Sequence, residues 1–447
     1  MPGLLSVGGI RYGERMKATT VCPGVWRLSA DLSDLLFEGL WPIPNGVSLS
    51  SYLVRGEKTA LIDGVCGWDG VPETLFAQLE ALDIPLESID YVVINHMEPD
   101  HSGWLEAFRR LRPQFQILTS ARSVPLLKAF FGVTDQIRTV KDGDTLDLGN
   151  GRVLAFAEIP NVHWPETIAT FDTQSGTLFP CDAFGSFGAL GEAPYDDQLS
   201  PDQLAFFEKE AVRYYANIVA AFSGPTGKAI DKVEKLLGDK VKIIAPGHGI
   251  VWRKNPSKIL SDYRRYVSYQ KNPAKAEVSV LWGSMYGNTE KALAAVVNGL
   301  TEMGVQVKTH RVPDTSIGDL LASVWTSTGV VLGMPSYEFK MFPPLAAALD
   351  ELFKKKVHNR LAFRFGSFGW CGGAQNELDD LLAHHKPGWQ FLDPVEFQGA
   401  ARETDLANLR SQGRALAKAV LQSVATGTWA QLLQHQRPLD GTCEDLD

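Results

Sequence analysis

The chain has 447 residues, of which 45% are hydrophobic and 21% are charged, and its net charge is −9. This length exceeds what one ordinary hydrophobic core holds, so we expect more than one domain. The acidic balance offers no surface for nucleic acid, and no apolar run approaches the roughly 18 residues of a membrane-spanning helix.

Two further features limit the class of protein. The N-terminus, MPGLLSVGGIRYGERMK, lacks a basic region ahead of an apolar core, so the sequence predicts a cytoplasmic protein. The five cysteines are scattered without a C-x-x-C pair. That spacing argues against a disulfide framework, a zinc ribbon or a rubredoxin-type iron site.

The first half of the chain alternates short apolar runs with polar loops and helical patterns. Strands are predicted, in chain order, at SSYLVRG, KTALIDG, IDYVVIN, VLAFAEI, TIATFD, GTLFP and VKIIAP. Helices are predicted at VPETLFAQLEAL, GWLEAFRRLR and NPSKILSDYRRYVSYQ. The pattern indicates mixed sheets covered by helices, an α/β sandwich. The polar stretch KNPAKAE then reads as a linker.

Beyond this linker the chain alternates strands and helices regularly. Strands are predicted at EVSVLWGS, VQVKTHRV, TGVVLGMP, RLAFRFGSFGW and EFQGA, with helices between them and a last helix at TDLANLRSQGRALAKAVLQSV. This order is typical of a doubly wound parallel sheet, in which ligands bind at the carboxyl ends of the strands. The tail after about Thr428 shows no periodicity and is expected to be loosely attached or disordered.

Histidines mark the predicted strand ends of the first half. The first 270 residues hold four of them, and each follows an apolar strand: His96, His101, His163 and His248. One histidine in such a position is ordinarily a loop or core residue. Because strand ends at one sheet edge converge, we expect the four imidazoles to meet three carboxylates, Glu98, Asp100 and Asp182. A dinuclear metal site explains such a cluster best.

The motif that opens this cluster indicates the metal. His96 to His101 read HMEPDH, which resembles the H-x-H-x-D-H motif of the zinc hydrolases in the metallo-β-lactamase superfamily. Glu98 replaces the second histidine of that motif. An extra carboxylate makes the site harder and more anionic, which favours ferric iron over zinc. With the downstream ligands included, the set resembles the diiron site of the flavodiiron proteins, also called A-type flavoproteins.

The resemblance implies a role for each ligand. His96, Glu98 and His163 would hold one iron, Asp100, His101 and His248 the other, and Asp182 would bridge the two. All seven positions carry the residue type that the family pattern requires.

Three loops of the second half are candidates for a flavin site. The first joins a strand to a helix start and can direct backbone N–H groups, two hydroxyls and the helix dipole at a phosphate. The others follow strands of the same sheet and carry aromatic side chains able to stack on a flat ring. The candidate residues are Ser284, Met285, Tyr286, Gly287, Asn288, Thr289, Pro335, Ser336, Tyr337, Ser367, Phe368, Gly369, Trp370, Cys371 and Gly372. This half resembles flavodoxins, which implies FMN as the cofactor.

The resemblance to flavodiiron proteins spans about Met16 to Ala425 and implies an α/β protein of two domains. They are a metallo-β-lactamase-like αββα sandwich with the diiron site at 16–272 and a flavodoxin-like FMN-binding domain at 277–427, with terminal extensions 1–15 and 428–447.

The implied function is the reduction of dioxygen to water, of nitric oxide to nitrous oxide, or of both, with FMN feeding electrons to two irons. The electron donor would be separate: a rubredoxin-like protein, or a reduced nicotinamide or deazaflavin-type cofactor acting through a reductase. A head-to-tail homodimer or a dimer of dimers is implied. Two alternatives stay open, a dizinc hydrolase carrying a flavodoxin module and a non-enzymatic redox or oxygen sensor. Glu98 argues against the first, and steady turnover would distinguish the second.

Overall fold

The computed structural model describes residues 18–65 and 72–432. The predicted extension 1–15 and residues 433–447 of the predicted tail lie outside this part. Contacts divide the chain into two units, and the division falls after Arg265, inside a helix. Within the described ranges, no helix is both long and apolar enough to cross a bilayer.

The first unit contains two sheets and a two-stranded hairpin. Its strands are β1 (Thr19–Cys22), β2 (Val25–Leu32), β3 (Leu36–Phe37), β4 (Trp41–Pro42), β5 (Val47–Arg55), β6 (Thr59–Ile62), β7 (Ile89–Val93), β8 (Gln116–Thr119), β9 (Ile137–Thr139), β10 (Thr145–Asp147), β11 (Val153–Glu158), β12 (Ile168–Asp172), β13 (Thr177–Phe179) and β14 (Ile243–Ile244). One sheet has the order β1-β2-β5-β6-β7-β8-β9, the other β10-β11-β12-β13-β14, and β3 pairs with β4.

Seven α-helices lie in residues 18–65 and 72–268. They are α1 (Glu73–Ala81), α2 (Pro99–Ser102), α3 (Leu105–Leu111), α4 (Ser123–Phe131), α5 (Pro201–Tyr214), α6 (Ser223–Leu236) and α7 (Pro256–Ser268). A π-helical turn, Tyr215–Val219, connects α5 to a short 3₁₀ turn ahead of α6. The capping box Ser200–Gln203 and a proline at the first helical position begin α5, as the chemistry of helix starts requires.

Side chains of the central strands point alternately into two separate hydrophobic clusters. On β6, Ala60 and Ile62 join a cluster that includes residues of both sheets, whereas Leu61 joins a cluster formed with α1, α3 and α4. A strand buried on both faces needs apolar residues at successive positions, which explains the continuous apolar run ALI that follows Thr59 in β6. The two sheets therefore pack face to face with helices outside them, as the sequence predicts.

The second unit is built on one parallel sheet. Its strands are β15 (Lys275–Trp282), β16 (Gln306–Arg311), β17 (Ser327–Gly333), β18 (Ser336–Tyr337), β19 (Lys340–Met341), β20 (Leu361–Phe368), β21 (Gln390–Phe391) and β22 (Val395–Gln398), and its helices are α8 (Asn288–Thr301), α9 (Ile317–Thr326), α10 (Pro343–Lys354), α11 (Ala374–His385) and α12 (Glu403–Thr426). The order is β16-β15-β17-β20, with β21 and β22 both beside β20, and all of these pairs are parallel.

This topology agrees with the predicted doubly wound sheet. The fifth predicted strand, EFQGA, corresponds to β22, whereas β21 was not predicted; Pro394, which has no N–H to donate, separates the two short strands. The strand β15 begins at Lys275, inside the predicted linker.

Four side chains of the second unit donate hydrogen bonds to carbonyls of the segment that follows Arg265. Trp325 Nε1 donates to Tyr266 O at 3.1 Å, and Arg360 Nη1 donates to Tyr269 O at 3.1 Å. Asn359 and Trp429 donate in the same way to Gln270 and Lys271. These bonds lie within the second unit, which begins at Tyr266.

Trp429 also corrects the prediction for the start of the tail. The predicted loose attachment after Thr428 is wrong for residues 429–432, because Trp429, Ala430 and Leu432 pack against the hydrophobic cluster of the second unit. Nothing in the sequence indicated this packing, because these three apolar residues do not belong to a helix or strand and therefore show no regular spacing.

Candidate metal centre and flavin loops

The seven predicted metal ligands lie in four segments of the first unit, each of which follows a strand. His96 follows β7, Asp100 and His101 lie on α2, and the loops after β11, β13 and β14 carry His163, Asp182 and His248. The prediction of one sheet edge is wrong in this respect, because β7 belongs to one sheet and the other three strands to the other. Convergence comes from two sheets packed face to face, which strand patterns in a sequence do not reveal.

One group of ligand atoms comprises His96, Glu98, His163 and Asp182. Its atoms lie within 4.8 Å of one another. The Nε2 atom of His163 is 2.9 Å from Glu98 Oε2 and 3.1 Å from Asp182 Oδ2. The Nε2 atom of His96 is 3.2 and 3.3 Å from the same two oxygens. Glu98 is the most accessible of the four, with 14% of its side chain exposed.

The second group comprises Asp100, His101 and His248, and it faces the other oxygen of Asp182. Asp182 Oδ1 lies 2.8 Å from His101 Nε2 and 3.3 Å from His248 Nε2. The two Nε2 atoms are 3.1 Å apart, a separation at which two nitrogens share one proton at most. Asp182 thus directs one oxygen to each group.

The charges of this cluster shift the pKa values of its members strongly. Burial lowers the pKa of His163, but hydrogen bonds to Asp182 and Glu98 outweigh it and raise the pKa to about 9. For His248, burial is likewise outweighed by hydrogen bonds to Asp100 and Asp182, which raise the pKa to about 10. Burial raises the pKa of Asp182, yet the charges of His101 and His96 hold it well below its usual range. Protons on these ring nitrogens compete with a metal cation for the same atoms.

Two glycines allow His101 to take its place. A Cβ at Gly247 would lie 2.7 Å from His101 Cε1, so a larger residue before His248 would push the imidazole away. A Cβ at Gly64 would lie 1.6 Å from Nε1 of Trp104, the group that donates to His101 O at 2.7 Å. The backbone at Gly64 and at Gly247 therefore lies so close to Trp104 and His101 that a side chain at either position would displace them.

Three residues near the cluster were not predicted from the sequence. Glu166 accepts a hydrogen bond from His96 Nδ1 at 2.8 Å. The buried thiol of Cys181 forms a further group of potential ligand atoms with His101 and Asp182. The Tyr214 ring lies 5.6 Å from that of His248, centroid to centroid. Cys181 precedes a predicted ligand directly, so its position in the sequence is a usable signal, whereas the other two have none.

The predicted flavin residues lie on three loops at the carboxyl ends of β15, β17 and β20. In the first loop, Gly287 has φ +88° and its N–H donates to Ser284 Oγ at 2.9 Å. The Oγ1 atom of Thr289, on α8, lies 3.1 Å from Ser367 Oγ on β20, so the first and third loops are in contact. In the second loop, Ser336 Oγ is buried and has no hydrogen-bond partner among residues 18–65 and 72–432.

Large apolar side chains on these loops are exposed. Tyr286 is 92% exposed, Trp370 69%, Tyr337 45% and Met285 42%, whereas Phe368 is partly buried at the end of β20. The remaining predicted contacts, Asn288, Pro335, Gly369, Cys371 and Gly372, lie in the same three segments. Cys371 is disulfide-bonded, which the scattered cysteine spacing did not predict.

Comparisons with known proteins agree with both halves. The model of the ODP family beta lactamase matches residues 47–249. The nitric oxide reductase of Moorella thermoacetica is 33% identical over 83% of this chain and 90% of its own length. The anaerobic nitric oxide reductase flavorubredoxin of Vibrio vulnificus is 32% identical over 90% of this chain and 80% of its own length.

Solved structures show the same two-part architecture. The rubredoxin oxygen:oxidoreductase of Desulfovibrio gigas superposes with a TM-score of 0.84 at 26% identity, covering 92% of this chain and 100% of that one. A variant of the flavo di-iron protein from Thermotoga maritima superposes with a TM-score of 0.80 at 25% identity, covering 92% of this chain and 100% of that one.

Proposed function

This chain belongs to the flavodiiron protein family, a family of oxidoreductases, and on that basis we propose that it reduces dioxygen to water, nitric oxide to nitrous oxide, or both. The relatives support this reaction because their names include nitric oxide reductase and oxygen:oxidoreductase. A non-haem diiron centre and FMN are the cofactors of this function.

The observation that carries the proposal is the bridging position of Asp182 between two groups of buried ligand atoms. We assign His96, Glu98 and His163 to one iron and Asp100, His101 and His248 to the other. Imidazole and carboxylate ligands without an obligatory thiolate suit iron, and Glu98 adds the negative charge that stabilises the ferric state. The donor set therefore fits a redox-active pair of irons better than a pair of zinc ions.

When bound, the two cofactors supply electrons to a diatomic substrate held at the metal pair. The chain itself excludes water from the ligands, since the side chains of His96, His101 and His248 are at most 1% exposed. Tyr214 adds a buried hydroxyl with no hydrogen-bond partner among the described residues. Burial raises the pKa of Tyr214 well above its usual range, so the hydroxyl keeps its proton and can donate a hydrogen bond beside His248.

The three loops of the second unit are assigned to FMN. The backbone of residues 284–289 and the N-terminus of α8 suit the phosphate, because N–H groups at a helix start attract anions. The unpartnered Ser336 Oγ and the exposed rings of Tyr337 and Trp370 supply a hydrogen bond and stacking surfaces for the flavin ring. The predicted contacts through Met285, Tyr286 and Cys371 belong to the same assignment.

We further propose that electrons come from a separate donor, a rubredoxin-like protein or a reduced cofactor acting through a reductase. The exchange would take place in the cytoplasm. The exposed apolar side chains of the flavin loops, with Tyr286 92% and Trp370 69% exposed, support a head-to-tail homodimer in which a partner chain covers them. A dimer of dimers would use the same contact twice.

The test is anaerobic rapid mixing of the fully reduced protein with dioxygen and, separately, with nitric oxide. We expect flavin reoxidation at catalytic rates with at least one gas, water rather than peroxide as the oxygen product, and nitrous oxide as the nitric oxide product. The Glu98→His variant converts the motif to the zinc-hydrolase pattern and should lose this activity while retaining FMN. Reoxidation no faster than that of free FMN with both gases would contradict the proposal.

A further inference from the structure

Three of the four histidines of the metal centre differ in what contacts their outer ring nitrogen, Nδ1. The Nδ1 atom of His96 lies 2.8 Å from a carboxylate oxygen of Glu166. That of His248 lies 3.2 Å from the neutral carbonyl of Ser48. The Nδ1 atom of His101 is buried and has no hydrogen-bond partner within the described part of the chain. The ligands of the two groups are therefore unequal in electronic character.

Glu166 is placed for this contact by the loop between β11 and β12, which also carries His163. Its Oε1 atom accepts from His96 Nδ1 and, at 2.9 Å, from the Met97 backbone N–H. Both side chains of the ion pair are fully buried, with 0% exposure each. The Trp164 ring packs edge-on against the His96 ring at 5.1 Å between centroids, so the imidazole is held by contacts from more than one direction.

A carboxylate in this position has two effects on a histidine ligand. Accepting the Nδ1 proton fixes the tautomer, so that the Nε2 lone pair faces Glu98 and Asp182. The negative charge also raises the basicity of the ring and strengthens its bond to a cation, more so for a trivalent than for a divalent ion. A backbone carbonyl, as at His248, supplies the first effect and much less of the second.

We propose that Glu166 is a positioning residue that makes His96 a stronger nitrogen donor than His101 or His248 and thereby lowers the reduction potential of the iron held by His96, Glu98 and His163 relative to the other iron. This inference rests on the proposed function and deepens it by making the two irons unequal. The iron of the His101 and His248 group is then reduced first, and the iron of the His96 group is reduced second.

The substitution Glu166→Gln isolates the charge. One oxygen of Glu166 accepts both hydrogen bonds, and the other has no partner among the described residues, so a glutamine can keep both bonds through its carbonyl oxygen. The opposite amide orientation is unfavourable, because it would direct the NH2 group of the glutamine at two other donors, His96 Nδ1–H and the Met97 N–H. Glu166→Asp has the opposite effect: it keeps the negative charge, but its side chain is one methylene shorter, so the carboxylate lies farther from Nδ1 of His96.

The control is Asp172→Asn. Asp172 is fully buried on β12 in the same unit and accepts hydrogen bonds from Gln174 N and Ser175 Oγ. It touches none of the seven ligands in the contacts described. Its loss removes one buried negative charge from the same unit without altering a partner of His96.

The measurement is a redox titration of the FMN- and iron-loaded protein, following the paramagnetic signal of the half-reduced iron pair. This signal grows at the first potential and disappears at the second. In Glu166→Gln we expect ferric affinity at the His96 group to fall about tenfold more than ferrous affinity, which raises the second potential by about 59 mV. The interval between the two potentials should narrow accordingly, while Asp172→Asn should leave it unchanged.

A separate measurement, the affinity of the site for a metal ion, tests whether Glu166 positions His96. In Glu166→Asp we expect affinity for a divalent ion, measured by chelator competition with zinc in protein retaining FMN, to fall by about 10- to 100-fold. Unchanged affinity in this variant, or a potential interval in Glu166→Gln equal to that in Asp172→Asn, would overturn the inference. Wild-type protein with no half-reduced iron signal would overturn the redox part alone, because gas reduction tests the proposed function separately, and the zinc measurement would still decide whether Glu166 positions His96.

Discussion

At the residue scale, the metal centre depends on one carboxylate that serves both groups. Asp182 is 1% exposed and has an oxygen within 3.3 Å of a ring nitrogen of each of the four histidines. In the proposed assignment, its removal takes a ligand from both irons at once and leaves four buried imidazoles without their shared counter-charge.

The first prediction follows from this shared position. Asp182→Ala should lower the metal content from two irons per chain to less than one and abolish gas reduction, because each iron loses a ligand and the bridge. FMN content should stay unchanged, since the flavin loops belong to the other unit. Elemental analysis beside flavin absorbance measures both quantities. Full iron content in this variant would show that Asp182 is not a ligand.

The second prediction concerns the metal-free protein. His163 and His248 have pKa values of about 9 and 10 in the folded state, above the ordinary value of 6.5. A raised folded pKa contributes stability that is fully present below the unfolded pKa and is lost as pH rises through the folded one. Thermal unfolding of the metal-free protein should therefore occur at lower temperature at pH 10 than at pH 6.5.

Restoring the metal provides the control for that experiment. Metal binding displaces the same protons, so the loaded protein should lose much less stability over this pH interval. An unfolding temperature of the metal-free protein that stays constant or rises between pH 6.5 and pH 10 would contradict the pKa shifts.

The seven predicted ligands were accessible from the sequence because each histidine stands just after a strand. Glu166 was not, because its partner His96 lies 70 positions away and nothing in the spacing marks the pair. Tyr214 stands next to a π-helical turn, an irregularity without a sequence pattern. Local signals thus identified the seven side chains that we propose as metal ligands, and only packing revealed the side chains that contact them from outside.

At the element scale, two helices of the second unit cross through paired glycines. A Cβ at Gly299 of α8 would lie 2.2 Å from Arg410 O of α12, and a Cβ at Gly413 would lie 2.6 Å from Val296 O. Each helix therefore places a glycine where the other helix's backbone approaches. Helical periodicity predicted both elements, but not this crossing, because a glycine inside a helix pattern is ordinarily only a weak position.

The third prediction tests this contact. Gly413→Ala should destabilise the second unit by about 1–3 kcal/mol, since the added methyl must force the helices apart. Gly224→Ala is the matched control, because Gly224 lies in α6 with no atom within 4 Å of the added Cβ. Alanine has a higher helix propensity than glycine, so the control substitution should be neutral or stabilising. Denaturant unfolding followed by circular dichroism, which reports the helices of both units, measures the effect, and equal midpoints for the two variants would contradict close packing at Gly413.

At the scale of the whole molecule, the chain joins two units that each carry one part of the chemistry. The ligand groups lie within the first unit and the flavin loops within the second. Electron transfer requires the two cofactors to be close, and the proposed head-to-tail homodimer would bring the flavin loops of one chain to the metal unit of its partner. Sequence motifs identified both units, because each motif is local, but the pairing of chains has no local signature.

The last prediction is complementation between two defective chains. One carries Asp182→Ala and lacks the metal bridge, and the other carries Ser284→Ala and Thr289→Ala in the predicted phosphate loop. If electrons pass between chains, a mixed dimer has one intact flavin facing one intact metal centre, so we expect activity approaching half of wild type per dimer. Co-expression of the two chains with different affinity tags allows mixed dimers to be isolated. Dimers of each defective chain with itself, carrying the same two tags, give the background activity. Because the two defects lie on different chains, transfer within a chain leaves every route interrupted. Activity of isolated mixed dimers no higher than that of the parents would therefore show that each flavin serves the metal centre of its own chain.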